Sequence, residues 1–70
     1  MKELSFTKLG KNITAARKSV GMSQQNLSIS CGLNEQIIGQ IERGLKKPSL
    51  ETTYRIATIL GTTVDALIGR

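Results

Sequence analysis

The sequence predicts an all-α protein, a compact bundle of five short helices around an aliphatic core. Three observations lead there. Apolar residues recur at steps of three and four, and no segment alternates as a strand would. Glycines and Ser, Thr or Asn caps divide the chain into five segments. Hydrophobic residues make up 39% of the chain but aromatics only 3%, so the core must be built from Leu, Ile, Val and Ala.

The first segment runs from about Phe6 to Val20. Phe6, Leu9, Ile13, Ala16 and Val20 share one helical face, and Gly21 fits the stop. Arg17 falls inside that stripe, so it needs a partner or must snorkel to water. The second segment opens at Ser23, a good N-cap, with Met22 and Leu27 spaced as a hydrophobic staple. Asn26 stands where a full capping box would have Glu or Gln. Gly32 ends this helix, and Cys31 before it reads as a small inward-facing residue.

The third segment is "GLNEQIIGQIERG", Gly32 to Gly44. Asn34 reads as its N-cap, and Leu33 with Ile38 repeats the staple. Glu35 falls in the first turn, where the helix dipole favours an acid. At about 100° per residue, Ile37, Ile38, Ile41 and Leu45 share one side, with Glu42 at its margin. Gln36, Gly39, Gln40 and Arg43 share the other. A basic loop follows, with Arg43, Lys46 and Lys47 close together. Ser49 caps the fourth helix, whose apolar stripe reads as Leu50, Tyr54, Ala57 and Leu60. Glu51 and Arg55 form an i,i+4 pair, and Gly61 closes the helix. Thr63 caps a last short helix, with Val64, Leu67 and Ile68 facing in. Residues 1–70 read as a single domain with its core in about 6–68. The tight turn at Gly32–Asn34 between the second and third helices is the geometry of a helix-turn-helix.

Ten Lys and Arg stand against five Asp and Glu, a net charge of +5. That balance favours a polyanionic partner, nucleic acid first and an anionic membrane second. Histidine is absent and Cys31 is the single cysteine. A structural metal site and an internal disulfide are therefore excluded, and acid–base catalysis lacks its commonest residue. No enzyme activity and no cofactor are expected. No apolar run reaches the roughly 18 residues of a membrane span. The stretch "MKELSFTKLG" lacks a signal-peptide core, so the expected location is the cytoplasm.

With the segments placed, the sequence resembles the phage-repressor, Cro-like (XRE-type) helix-turn-helix family. The matching stretches are "GMSQQNLS" (Gly21 to Ser28), "GLNEQIIGQIERG", "PSLETTYRIATILG" (Pro48 to Gly61) and "TVDAL" (Thr63 to Leu67). They cover nearly the whole chain in order, and "SQ..L", "IERG" and "PSLET" at these spacings are highly specific together. The resemblance implies a lambda-repressor-like DNA-binding domain and a transcriptional regulator, expected to be a repressor. Its third helix would read an operator in the major groove of double-stranded DNA.

By the resemblance, Gln24 matches a glutamine that binds a DNA phosphate and braces the recognition helix. Ser23 and Asn34, the expected N-caps of the second and third helices, join it as phosphate contacts. Glu35, Gln36 and Gln40 match base-facing positions. Arg43, Lys46 and Lys47 fall where the family touches the DNA backbone. Arg17 and Glu42 match a salt bridge between the first and third helices, the partner that Arg17 requires. Ser28 and Asn26 depart from the family, which usually has alanine and an acid there.

Each reading has a plainer counterpart. Glutamine suits bidentate recognition of adenine, although Gln36 and Gln40 would also suit a merely solvated face. Glu35 would accept from cytosine N4 or simply serve the dipole. Ile37 is either marginal core or a contact to a thymine methyl group. Gly39 costs about 1 kcal/mol against Ala in a helix interior. It marks either a close approach of the backbone to DNA or a tolerant surface site. The family implies a homodimer on two half-sites, here through the fifth helix and its neighbours, with Val64, Leu67 and Ile68 as candidates. The alternative is a protein-binding module on the same fold, an adaptor or antitoxin-like partner, which a solvent-facing Ile29 would favour.

Overall fold

The computed structural model describes residues 5–69. It contains α1 (Phe6–Ser19), α2 (Gln24–Ser30), α3 (Ile37–Glu42), α4 (Leu50–Leu60) and α5 (Val64–Ile68), and no strand among the described residues. Local chemistry fixes the ends. The hydroxyls of Ser5, Ser23, Ser49 and Thr63 accept from the backbone amides of Lys8, Asn26, Thr52 and Ala66. Each thereby satisfies one of the amides that a helix N-terminus leaves unpaired. Gly32 and Gly44, on either side of α3, hold φ at +72° and +75°. Those left-handed turns fold the chain back onto the helix just ended. The Leu33 amide donates to the Ser28 carbonyl and the Leu45 amide to the Gln40 carbonyl, both at 2.9 Å.

Leu9 and Ile13 of α1, Leu27 and Cys31 at α2, Ile38 and Ile41 of α3, Ile56, Ala57 and Leu60 of α4, and Leu67 of α5 form the core. Met22 and Leu33 pack against it. Burial pushes the Cys31 thiol above its ordinary pKa, against the opposing charge of Arg55. Asn12 donates to the Leu67 carbonyl at 2.8 Å and ties α1 to the end of α5.

Three sequence expectations give way here. Leu45 does not share the inner face of α3: it is 73% exposed, because Gly44 has already turned the chain off the helix. Val20 is also exposed, as the cap residue that follows the last turn of α1. In α4, Leu50 and Tyr54 lie outside, at 77% and 64% exposure. The buried positions are Thr53, Ile56, Ala57 and Leu60. A threonine can enter the core because its hydroxyl donates to the Ser49 carbonyl at 2.8 Å.

α1 crosses α3 at two linked points. At the first, Gly10 lies against the α3 backbone: a Cβ built there would stand 2.5 Å from the Glu42 carbonyl oxygen. At the second, two turns further along α1, the Arg17 guanidinium grips the Glu42 carboxylate. Nε donates to Oε2 at 2.7 Å and Nη2 to Oε1 at 3.2 Å, while Nη1 donates to the Met22 carbonyl at 2.8 Å. The side chains are only 10% and 4% exposed. Burial raises the Glu42 pKa, but the bonds from Arg17 and Gln24 outweigh it, so the carboxyl titrates below its ordinary value.

Two outcomes follow for stability. Gly10→Ala adds the better helix former, worth about 1 kcal/mol by propensity alone. The methyl meets unyielding backbone, so chemical denaturation should instead show a loss of about 1–3 kcal/mol. Glu42→Ala should cost about 3–5 kcal/mol near neutral pH by stranding the buried arginine. Because folding lowers the Glu42 pKa, its contribution is present above the unfolded value of about 4.3 and is lost as pH falls through the folded value. Denaturation midpoints of the wild type and Glu42→Ala should therefore converge in acid.

Candidate nucleic-acid interface

The regular part of α3 begins at Ile37, three residues after Asn34, its expected cap. Asn34 instead shapes the turn ahead of the helix. Its carbonyl accepts from the Ile37 amide at 3.0 Å, and its side chain accepts weakly from the Gln36 amide at 3.4 Å. The capping work is done from beneath. The Ser28 hydroxyl, fully buried, accepts from the Ile38 amide at 3.1 Å. The serine that departs from the family's alanine thus pins the start of α3 to α2.

This placement overturns the dipole reading of Glu35, which sits on the turn and not in the first turn of α3. Its carboxylate is exposed, and Oε2 accepts from Gln25 Nε2 at 2.9 Å. Gln24, the neighbouring residue of α2, is drawn the other way. Its Nε2 donates to Glu42 Oε1 at 2.8 Å, the same carboxylate that Arg17 holds. Two consecutive glutamines therefore bridge α2 to the two ends of the recognition segment.

Gly39 is buried, and its cover is Gln24: a Cβ at Gly39 would lie 3.2 Å from Gln24 Oε1. The missing side chain makes a seat for the glutamine, a role neither sequence reading of Gly39 contained. Gln24, Gln25, Glu35, Gln36, Gly39 and Arg43 line one open cleft of about 270 Å³. Gln36 is exposed, while Gln40 and Ile37 are half-buried, with Ile37 packed on the core.

The remaining expected contacts surround this surface. Arg43, Lys46 and Lys47 are exposed in and after the last turn of α3. The Lys47 ammonium lies 5.1 Å from the centre of the Phe6 ring, so the basic loop is tethered to the start of α1. Ser23 and Asn34 are exposed at the other end, although the Ser23 oxygen already accepts from Asn26. The surface offers amide and carboxylate groups for hydrogen bonding to base edges, with cations beside them for phosphates.

Sequence reading missed Gln25, Ser28 and Gly10. Ser28 had a signal, an unexplained polar residue on the inner face of α2. Gln25 had none, because its partner is brought close only by the turn.

Comparison with known proteins agrees with this geometry. A helix-turn-helix family model matches residues 13–67. The regulator YazB of Bacillus subtilis is 34% identical over 58 residues, covering 83% of this chain and 84% of YazB. The immunity repressor of Bacillus phage phi105 is 34% identical over 61 residues, 87% of this chain but only 42% of the repressor. The chain also spans 56% and 55% of regulators from Haemophilus influenzae and a Bacillus subtilis prophage. The restriction-modification controller C.AhdI of Aeromonas hydrophila superposes with a TM-score of 0.83 at 31% identity, covering 89% of this chain and 94% of the controller. With that match over most of its length, and with α2 and α3 locked as described, the chain belongs to the helix-turn-helix family, of the phage-repressor, Cro-like (XRE) type.

Proposed function

We propose that this protein is a sequence-specific DNA-binding transcriptional regulator, a repressor, working in the cytoplasm without catalytic chemistry. The observation that carries this reading is the outer surface of the recognition segment. Glu35 and Gln36 on the turn, and half-buried Gln40 on the short helix after it, form a surface that Ser28, Gln24 and Arg17 hold rigidly, with Arg43, Lys46 and Lys47 beside it. Rigid support is what base readout demands of a site. Ile37 sits at the edge, where a thymine methyl can meet its exposed part. Ser23, Gln24 and Asn34 approach phosphates from the α2 side. Gly39 serves readout indirectly, as the seat of Gln24.

The protein acts as a homodimer on two half-sites about one DNA turn apart. Of the expected dimer residues, Leu67 is consumed by the core, and Val64 and Ile68 are partly so. Leu50 and Tyr54 are the larger apolar groups that stand free near α5. No helix of the described residues is long and apolar enough to cross a membrane. Ile29 is 58% exposed, but single exposed apolar residues are common and it lends the adaptor reading no weight alone.

A salt titration of duplex binding tests the proposal. Affinity should fall steeply with salt as phosphate counterions are displaced; weak, salt-insensitive binding to every duplex would sink it. On a selected operator, Gln40→Ala should lose about 1–3 kcal/mol and relax preference at one base pair. Lys47→Ala should weaken specific and random duplexes alike and lower the salt slope by about one.

A further inference from the structure

α3 and the turn before it carry two carboxylates with different environments. Glu42 is buried and committed to Arg17 and Gln24. Glu35 is exposed, and no described Lys or Arg pairs with it. Its bond is to a neutral donor, the Gln25 amide, which orients the group without neutralising it. Building on the DNA-binding reading above, we propose that Gln25 is a positioning residue for base readout. It clamps Glu35 so that the free carboxylate oxygen meets the amino group of a cytosine in the major groove.

The chemistry selects the base. An ionised carboxylate only accepts hydrogen bonds. Guanine and thymine present acceptors at the matching edge, and adenine sets an acceptor beside its single amino group. Cytosine presents a donor alone, so it is the base that a fixed carboxylate tolerates best. Fixing matters because a free glutamate rotates about three bonds and loses that freedom on docking. The bond to Gln25 occupies one lone pair of Oε2 and leaves Oε1 open. Gln25 is itself exposed and outside the core, so removing its amide tests the clamp without disturbing the fold.

The experiment selects bound sequences from a random duplex pool with the wild type, Gln25→Met, Glu35→Ala and the double variant. Affinities are then measured on the selected site with cytosine kept or replaced, and a thermal melt of each variant checks folding. Methionine keeps the length of glutamine and lacks a donor. The wild type should prefer cytosine at one position in each half-site, and Glu35→Ala should abolish that preference. Gln25→Met should reduce it by about three- to tenfold, with affinity for random DNA and the salt slope unchanged. In the Glu35→Ala background, Gln25→Met should change nothing further.

An unaltered cytosine preference in Gln25→Met would overturn the clamp. So would an equal loss on all duplexes, or an equal loss with and without Glu35, since Gln25 would then touch DNA directly. Failure of the wild type to enrich any sequence would instead remove the regulator reading, and the clamp with it, before any variant is compared.

Discussion

The surface that α3 presents depends on one buried ion pair, Arg17 with Glu42. Two charges so little exposed are costly to desolvate, and the cost is offset only because their bonds are complete. Arg17 places a donor from each of its three nitrogens, and Glu42 accepts from both Arg17 and Gln24. Such a pair has little tolerance for sliding. It fixes where along α1 the end of α3 sits, and Gly10 lets the two backbones come close enough for the bonds to form. A leucine pair in the same place would hold the helices together but would not set their register so narrowly.

The pair also explains how a helix of six residues can serve as a rigid platform. So short a helix is not stable alone. Ile38 and Ile41 anchor its inner face, Ser28 secures the Ile38 amide in its first turn, Glu42 its last turn, and Gly44 its exit. None of these contacts uses Glu35, Gln36 or Lys46, which project outward.

The sequence reached the five helices, the caps Ser23, Ser49 and Thr63, and the Arg17–Glu42 partnership, but not the Ser5 cap of α1. The helices and caps rest on chemistry within a few residues; the misplaced charge of Arg17 called for a partner or a route to water, and the family resemblance named Glu42. It misjudged Leu45 because periodicity was carried past a glycine that ends the helix. It misjudged Leu50 and Tyr54 because a threonine that bonds its own backbone can take an inward position from a larger apolar residue. It could not give Gly39 its role, since the covering side chain comes from another helix. The start of α3 moved for the same reason: Ser28 supplies from across the turn what Asn34 was expected to supply locally.

That capping from beneath has an evolutionary consequence. Apart from Ile37, which packs on the core, the side chains proposed to face base pairs contribute little to holding the protein together, because Ser28 and the glycine turns carry that task. Operator preference can therefore drift through substitutions at 35, 36 and 40 while the scaffold keeps its stability. A chain organised in this way can be readdressed to new DNA sites by a few surface changes, without passing through an unfolded intermediate in sequence space.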